Sequence, residues 1–159
     1  MNTFYRVDNR LVHGQIISTW MSHLRVKTFL VVSDTVPDNS LQMTMFRMAI
    51  PKEVNYLAMG IDEAAAWLND NRYCGETIMV LIETIQDASR LFRAGHPFPN
   101  LNIGNIHHAA GRRSFSNAVY LGDPEIEILK TLFGKGLQAE IQSLPTETPI
   151  DLRRALEAA

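Results

Sequence analysis

At 159 residues, 46% apolar and 20% charged, the chain has the makeup of a single globular domain with room for a core, which excludes a disordered or low-complexity polypeptide. A net charge of −2 and a pI near 6.2 exclude a broadly basic, nucleic-acid-binding surface. The single Cys74 excludes an internal disulfide and suits a reducing compartment.

The opening segment MNTFYRVDNR carries Arg6, Asp8 and Arg10 where a signal peptide needs an apolar stretch. The densest apolar runs, FLVV (29–32) and IMVLI (78–82), are far shorter than the ~20 residues of a membrane span. A cytoplasmic protein is expected, meeting a membrane only through partners.

Strand-like and helix-like segments then alternate. Short runs rich in apolar, β-branched or aromatic residues fall near 3–7, 26–32, 54–59, 76–82, 100–103, 117–121 and 137–142. Several are apolar throughout, as strands buried on both faces require. After the first run, QIISTWMSHL places Ile16, Ile17, Trp20, Met21 and Leu24 on one helical stripe. Further helices are predicted near 39–50, 61–71, 85–95 and 151–158. Met43, Met45 and Met48, in the first of these, read as gap-filling core, and Trp20 and Trp67 as packing residues. The stretch from Pro97 to Phe115, with Gly104 and Gly111, breaks the rhythm and reads as an active-edge loop. A hairpin or antiparallel edge strand is expected after it. In GDPEIEILKTLFGKG, Asp123 suits the N-cap and Pro124 the first turn, Glu125 and Glu127 complement the helix dipole, and Gly134 or Gly136 can end the helix.

This alternation predicts one α/β domain over 1–159: an open, mostly parallel sheet with helices on both faces and room for an antiparallel edge strand. Ligands of such sheets bind beyond the carboxyl ends of the strands, at a topological switch point. Asp8, Asn9, Arg10 and His13 follow the first run, Ser33 and Asp34 the second, Glu83 and Thr84 the fourth, and Gly104, Asn105, His107 and His108 the fifth.

His13 stands just before Gly14 at the start of a helix, where free amides and the positive dipole end favour an anion. Arg10 can present a planar fork to phosphate oxygens, imidazole is a competent covalent nucleophile, and Asp8 can fix the ring's tautomer. The same residue types also fit a capping histidine beside a surface ion pair, so the motif alone defines an anion-binding turn without naming a reaction. Arg112 and Arg113 read either as a basic rim to that turn or as a solvated pair. No metal is expected. His107 and His108 are adjacent and point apart in an extended segment, while His13 and His23 are separated by roughly 15 Å of helix. There is no Cys cluster, H-E-x-x-H run, dinucleotide fingerprint, P-loop or G-x-S-x-G elbow.

The segment VDNRLVHGQIISTW resembles the opening signature of the B component of mannose-family sugar phosphotransferase systems. In that pattern an acidic residue, a polar residue, Arg, two apolar residues and His-Gly-Gln are followed by a Trp, met here by Asp8 through Gln15 and Trp20. VVSDTVPDNSLQ (31–42), NIGNIHHAAGRRSFSNAVYL (102–121) and GLQAEIQSLPTETPIDL (136–152) echo the same family. Asn9, Ser33 and the absence of a proline after Thr84 depart from its commonest pattern. The resemblance implies a protein-phosphohistidine–sugar phosphotransferase that uses no cofactor. His13 would be the phosphorylated residue, with Arg10 and Asp8 beside it and the amides of Gly14 and Gln15 on the phosphate. By their positions after the strands and in the later loop, Ser33, Asp34, Thr84, Arg112 and Arg113 are further candidates for the active edge. The resemblance further implies a separate IIA component as donor, and peripheral association with membrane IIC and IID components that carry the sugar. Mannose, fructose, sorbose and amino sugars are all compatible with it, and homo-oligomer formation is left open. Two other readings of the residues themselves stand beside it: a small-anion-binding regulatory module without phosphotransfer, and a small nucleotide-dependent α/β enzyme.

Overall fold

The computed structural model describes residues 2–70 and 75–159; Cys74 and the last residue of the helix expected over 61–71 lie outside them. Eight strands are met in the order β1 (Asn2–Asp8), β2 (Thr28–Val32), β3 (Asn55–Met59), β4 (Thr77–Ile82), β5 (Asn100–Asn105), β6 (Arg113–Ser114), β7 (Tyr120–Leu121) and β8 (Gln138–Ile141), before the short β9 (Ile150–Asp151). Between β1 and β2 runs a helix over residues 14–24, π-wound at Ile16–Trp20 and ending in the α turn α1 (Met21–Leu24). The other helices are α2 (Ser40–Ala49), α3 (Ile61–Asn69), α4 (Ile85–Arg93), α5 (Asp123–Gly134) and α6 (Leu152–Ala158).

The main sheet has the order β3-β2-β4-β1-β5-β8-β9, parallel except for β9, which runs antiparallel to β8. The antiparallel edge thus comes from the C-terminal segment. The 117–121 run instead pairs with β6 in a separate two-stranded ribbon. β2 and β4 are buried along nearly their whole length, as strands covered on both faces must be. Two apolar layers result. On one face Leu11, Val12, Ile16, Trp20 and Phe46 pack on Phe29, Val31, Met79 and Leu81. On the other, Ile61, Leu68, Ile85, Leu91, Ile126, Leu129 and Phe133 pack on Val7, Leu30, Val80 and Ile103. Each fully buried Leu, Ile or Phe contributes about 1.5–3 kcal/mol.

Helices of the leftward connections, 14–24 and α2, cover the first face; those of the rightward connections, α3 to α5, cover the second. β1 sends its chain one way and its neighbour β5 the other, so a crevice opens between their carboxyl ends. The β1–β5 register shifts between Val7 and Asp8 at that point.

Three local expectations change. β5 continues through Gly104 to Asn105, because Asn105 pairs with Asp8 across β1 while the register skips Gly104. The α5 cap is Gly122, whose N–H donates to Oε2 of Glu125 at 2.9 Å, and Asp123 falls inside the helix. The helix closes through Gly136, whose φ of +95° is open to glycine and strained for other residues. Of the α2 methionines only Met43 packs on the core; Met45 and Met48 are 59% and 81% exposed, beside Leu41 at 71%. Among the described residues no helix is long and apolar enough to cross a membrane.

Candidate active site

β1 alternates its side chains, so Phe4, Arg6 and Asp8 share one face while Tyr5 and Val7 enter the opposite core. Asp8 ends the strand, fully buried. Its Oδ1 accepts from the Arg10 backbone N–H at 3.0 Å and from Arg10 Nε at 3.3 Å. Its Oδ2 faces His13 Nε2 at 3.0 Å and Arg6 Nη2 at 3.2 Å. Burial alone would raise the Asp8 carboxyl, but the His13 hydrogen bond, the Arg6 charge and the Arg10 amide together hold it below the usual carboxylate range. An ionised carboxylate only accepts, so His13 Nε2 carries the shared proton, and Nδ1 is the nitrogen turned away from Asp8.

The turn that presents His13 is built tightly. Leu11 N–H donates to Asp8 O at 3.0 Å, and Leu11 adopts a φ of +56° with its side chain buried. A leucine in this left-handed region costs of order 1–3 kcal/mol, offset here by the burial of Leu11 and Val12 against the helical layer. His13 O then accepts from both Ile16 N and Ile17 N, and Met21 N reaches back five residues to Ile16 O. This π winding keeps Ile16 and Trp20 inward together. Gly14 and Gln15 open the helix with first-turn amides that have no intrahelical acceptor. A Cβ built on Gly14 meets nothing within 4 Å, so the surface at Gly14 is open. Arg10 is 40% exposed in its side chain and touches Gln15 Oε1 at 3.4 Å, placing a solvent-facing cation beside the imidazole.

Two residues to which the sequence assigned no role complete this architecture. Arg6, fully buried, extends a guanidinium beneath Asp8 and across Gly104, where a Cβ would lie 1.8 Å from Nη2. Asn9 splints three strand ends: its Nδ2 donates to Glu83 O at 2.7 Å and its Oδ1 accepts from His107 N at 2.7 Å, while its own N–H donates to Asn105 O at 3.0 Å. The available signal for Arg6 was a charge at an inward-alternating position of an apolar run, and for Asn9 a carboxamide immediately after a strand.

Asp8, Arg10, His13 and Gln15 are therefore joined directly. Among the described residues, no hydrogen bond or ion pair ties Ser33, Asp34, Thr84, Arg112 or Arg113 to that group. Ser33 is buried at the end of β2 with its Oγ accepting from Thr35 N and Val36 N. Asp34 accepts from Ile61 N at 3.0 Å and from Arg90 Nη2 at 2.7 Å, both of which lower its carboxyl. Thr84 caps α4 by accepting from Asp87 N. Arg112 donates to His107 O at 2.8 Å and to Glu125 Oε1 at 3.0 Å, and Arg113 lies over the Phe115 ring. No group of three or more His, Cys, Asp or Glu residues suited to a metal occurs among the described residues.

A buried carboxylate, an imidazole hydrogen-bonded to it, an exposed guanidinium and a helix start thus meet at the switch point of an open α/β sheet, where such sheets bind their ligands. The family model of the sugar phosphotransferase system (PTS) sorbose-subfamily IIB component matches residues 2–159, and the chain belongs to that family. It is 29% identical to the PTS fructose-specific EIIB component of Bacillus subtilis, covering 95% of this chain and 93% of that one. It is 27% identical to the PTS mannose-specific EIIAB component of Escherichia coli, covering 92% of this chain but 46% of that longer protein. A solved structure described as a phosphoenolpyruvate-dependent phosphotransferase system protein superposes with a TM-score of 0.88 at 29% identity, covering 100% of this chain and 99% of that one.

Proposed function

We propose that the chain is the phosphocarrier of a sugar-uptake system. It accepts a phosphoryl group on His13 from the phosphohistidine of a IIA component and passes it to a sugar held by membrane IIC and IID components. The observation that carries the reading is the 3.0 Å contact of His13 Nε2 with Asp8 Oδ2, which leaves Nδ1 as the free nucleophile. The family membership supports the reaction class, and the EIIAB name of the mannose relative fits an A component as the neighbour in the relay.

The transfer balances without a cofactor. The Nδ1 lone pair forms a new N–P bond as the donor's N–P bond breaks, and the released pair returns to the donor ring. The Nε2 proton stays on His13, held by Asp8. Arg10 and the amides of Gly14 and Gln15 surround the phosphoryl oxygens, so their charge is met by groups already in position. In the second half the sugar hydroxyl oxygen attacks phosphorus, the N–P pair returns to Nδ1 and the hydroxyl proton is lost to solvent or base. The open surface at Gly14 is where each partner would approach.

Incubating the chain with the general phosphorelay enzymes and a IIA component, then mapping the site, tests this. His13 is expected to carry an acid-labile phosphoryl group on Nδ1, and His13→Ala to abolish labelling while keeping the fold. Label persisting on His23, His107 or His108 in that variant would sink the assignment. Stable binding of inorganic phosphate without any covalent adduct would instead favour a plain anion-binding module.

A further inference from the structure

The hydrogen bonds of the site continue beneath its surface, and they converge on one oxygen. Asp8 Oδ2 lies 3.0 Å from His13 Nε2 and 3.2 Å from Arg6 Nη2. Arg6 is fully buried and held from several sides. Its Nη1 donates to Asn102 Oδ1 at 2.7 Å and to Gln142 O at 3.0 Å, and its Nη2 donates also to Ser143 O at 3.3 Å. The Trp20 ring centroid is 5.2 Å from the guanidinium carbon, and Trp20 Nε1 donates to the same Ser143 O at 2.8 Å. Gly104 supplies the room for the guanidinium.

Stability alone does not account for such a pair, because an apolar replacement of the same shape is often as stable as a buried ion pair. The shared oxygen suggests what it is for. A lone buried carboxylate beside an imidazole favours the imidazolium, which would put a proton on Nδ1 and remove the nucleophile. A cation on the far side of the same carboxylate cancels much of that pull, while the oxygen keeps a lone pair for Nε2–H. The other charged groups facing the cluster are Arg10 on Asp8 Oδ1, Glu147 beyond Ser143, and Glu140, which meets Asn102 Nδ2 at 3.5 Å.

We propose that Arg6 is a positioning residue for phosphoryl transfer: acting through Asp8, it holds His13 as the neutral Nε2–H tautomer with the Nδ1 lone pair facing outward. This rests on the phosphocarrier reading of His13. Arg6 touches neither the phosphoryl group nor the partner ring, and no proton leaves the cluster as the N–P bond forms.

The test begins with the unaltered chain, by ¹⁵N NMR of the His13 ring at about pH 7. A neutral ring protonated at Nε2 is expected, and a ring protonated at Nδ1 alone overturns the proposal. In Arg6→Met the share of doubly protonated ring should rise above that of the parent. Phosphorylation should slow by about tenfold or more and recover as the pH is raised, a rescue that a merely structural role would not give. Arg6→Lys, which keeps the charge but loses the fork, should fall between the two. Should Arg6→Met fail to fold, Arg6→Lys and Gly104→Ala carry the same readouts, the latter by pushing the guanidinium off its seat. A folded variant of this set that displaces or removes the guanidinium and yet keeps the parent tautomer and pH profile refutes the role. A parent chain with the expected tautomer that takes no phosphoryl group would instead sink the phosphocarrier reading and leave the coupling of Arg6, Asp8 and His13 standing.

Discussion

Two arginines four residues apart, Arg6 in β1 and Arg10 in the turn after it, do different work because one is buried and the other is not. Arg6 has no exposed surface, whereas Arg10 is 40% exposed in its side chain, so only Arg10 can meet an incoming phosphoryl group. Arg10→Ala should leave the fold intact and lose about 3–4 kcal/mol of transition-state stabilisation, seen as a 10²–10³-fold slower transfer in rapid-quench kinetics. Arg10→Lys should recover part of that loss, since it keeps the charge without the two-pronged geometry. Unchanged kinetics in Arg10→Ala would remove it from the cradle. Elsewhere His96 offers a separate handle on stability. It is buried between Tyr5 and Asn69, with Nδ1 donating to Asn69 Oδ1 at 2.7 Å and Nε2 accepting from the Tyr5 hydroxyl. Burial holds its proton affinity below the ordinary histidine value, so the unfolded chain binds a proton that the folded chain resists. Stability is therefore full above the unfolded value, near 6.5, and falls as the pH drops below it towards the lower folded value. The urea midpoint should decline over that window, and His96→Gln should flatten the decline.

At the scale of single elements, the sequence patterns locate nearly every strand and helix, and the mistakes occur where a segment's partner lies elsewhere in the chain. The methionine stripe of α2 shows why. Met45 and Met48 have the helical spacing of a core face, but α2 packs on β2 and β3 through Phe46 and Met43, which leaves the neighbouring stripe outside. The double variant Met45→Gln, Met48→Gln should therefore change the unfolding free energy by no more than about 0.5 kcal/mol. A loss of several times that amount in chemical denaturation would mean the stripe is covered in solution. The β5 boundary failed for the opposite reason. Gly104 looks like a loop residue in isolation, yet it stays in the strand to give way to Arg6. Gly104→Ala should cost about 1–3 kcal/mol, because the added methyl meets a guanidinium anchored at both ends.

For the molecule as a whole, the site sits at an open sheet edge served by loops from β1, β4, β5 and β8. On the proposed relay, a donor bearing phosphohistidine and an acceptor presenting a sugar hydroxyl would both have to reach His13 Nδ1, and one atom can serve only one of them at a time. Titrating labelled chain with a IIA component and with the detergent-solubilised membrane components should perturb overlapping amides around residues 8–15, with competition between the two. Simultaneous binding, or a IIA footprint remote from that edge, would refute the shared-edge relay.

The sequence by itself determined the order and type of most elements, the parallel α/β class and the grouping of Asp8, Arg10 and His13. These depend on periodicities and spacings contained within a few consecutive residues. Only the tertiary structure decided which polar groups are already engaged: Ser33, Asp34, Thr84 and Arg112 each satisfy a backbone or ionic partner. It alone also placed β9 antiparallel on β8, and set Arg6 against Asn102, 96 residues away. Such pairings follow from the strand order, which brings β5 beside β1. No local pattern encodes that order, because it arises from packing two apolar layers around one twisted sheet.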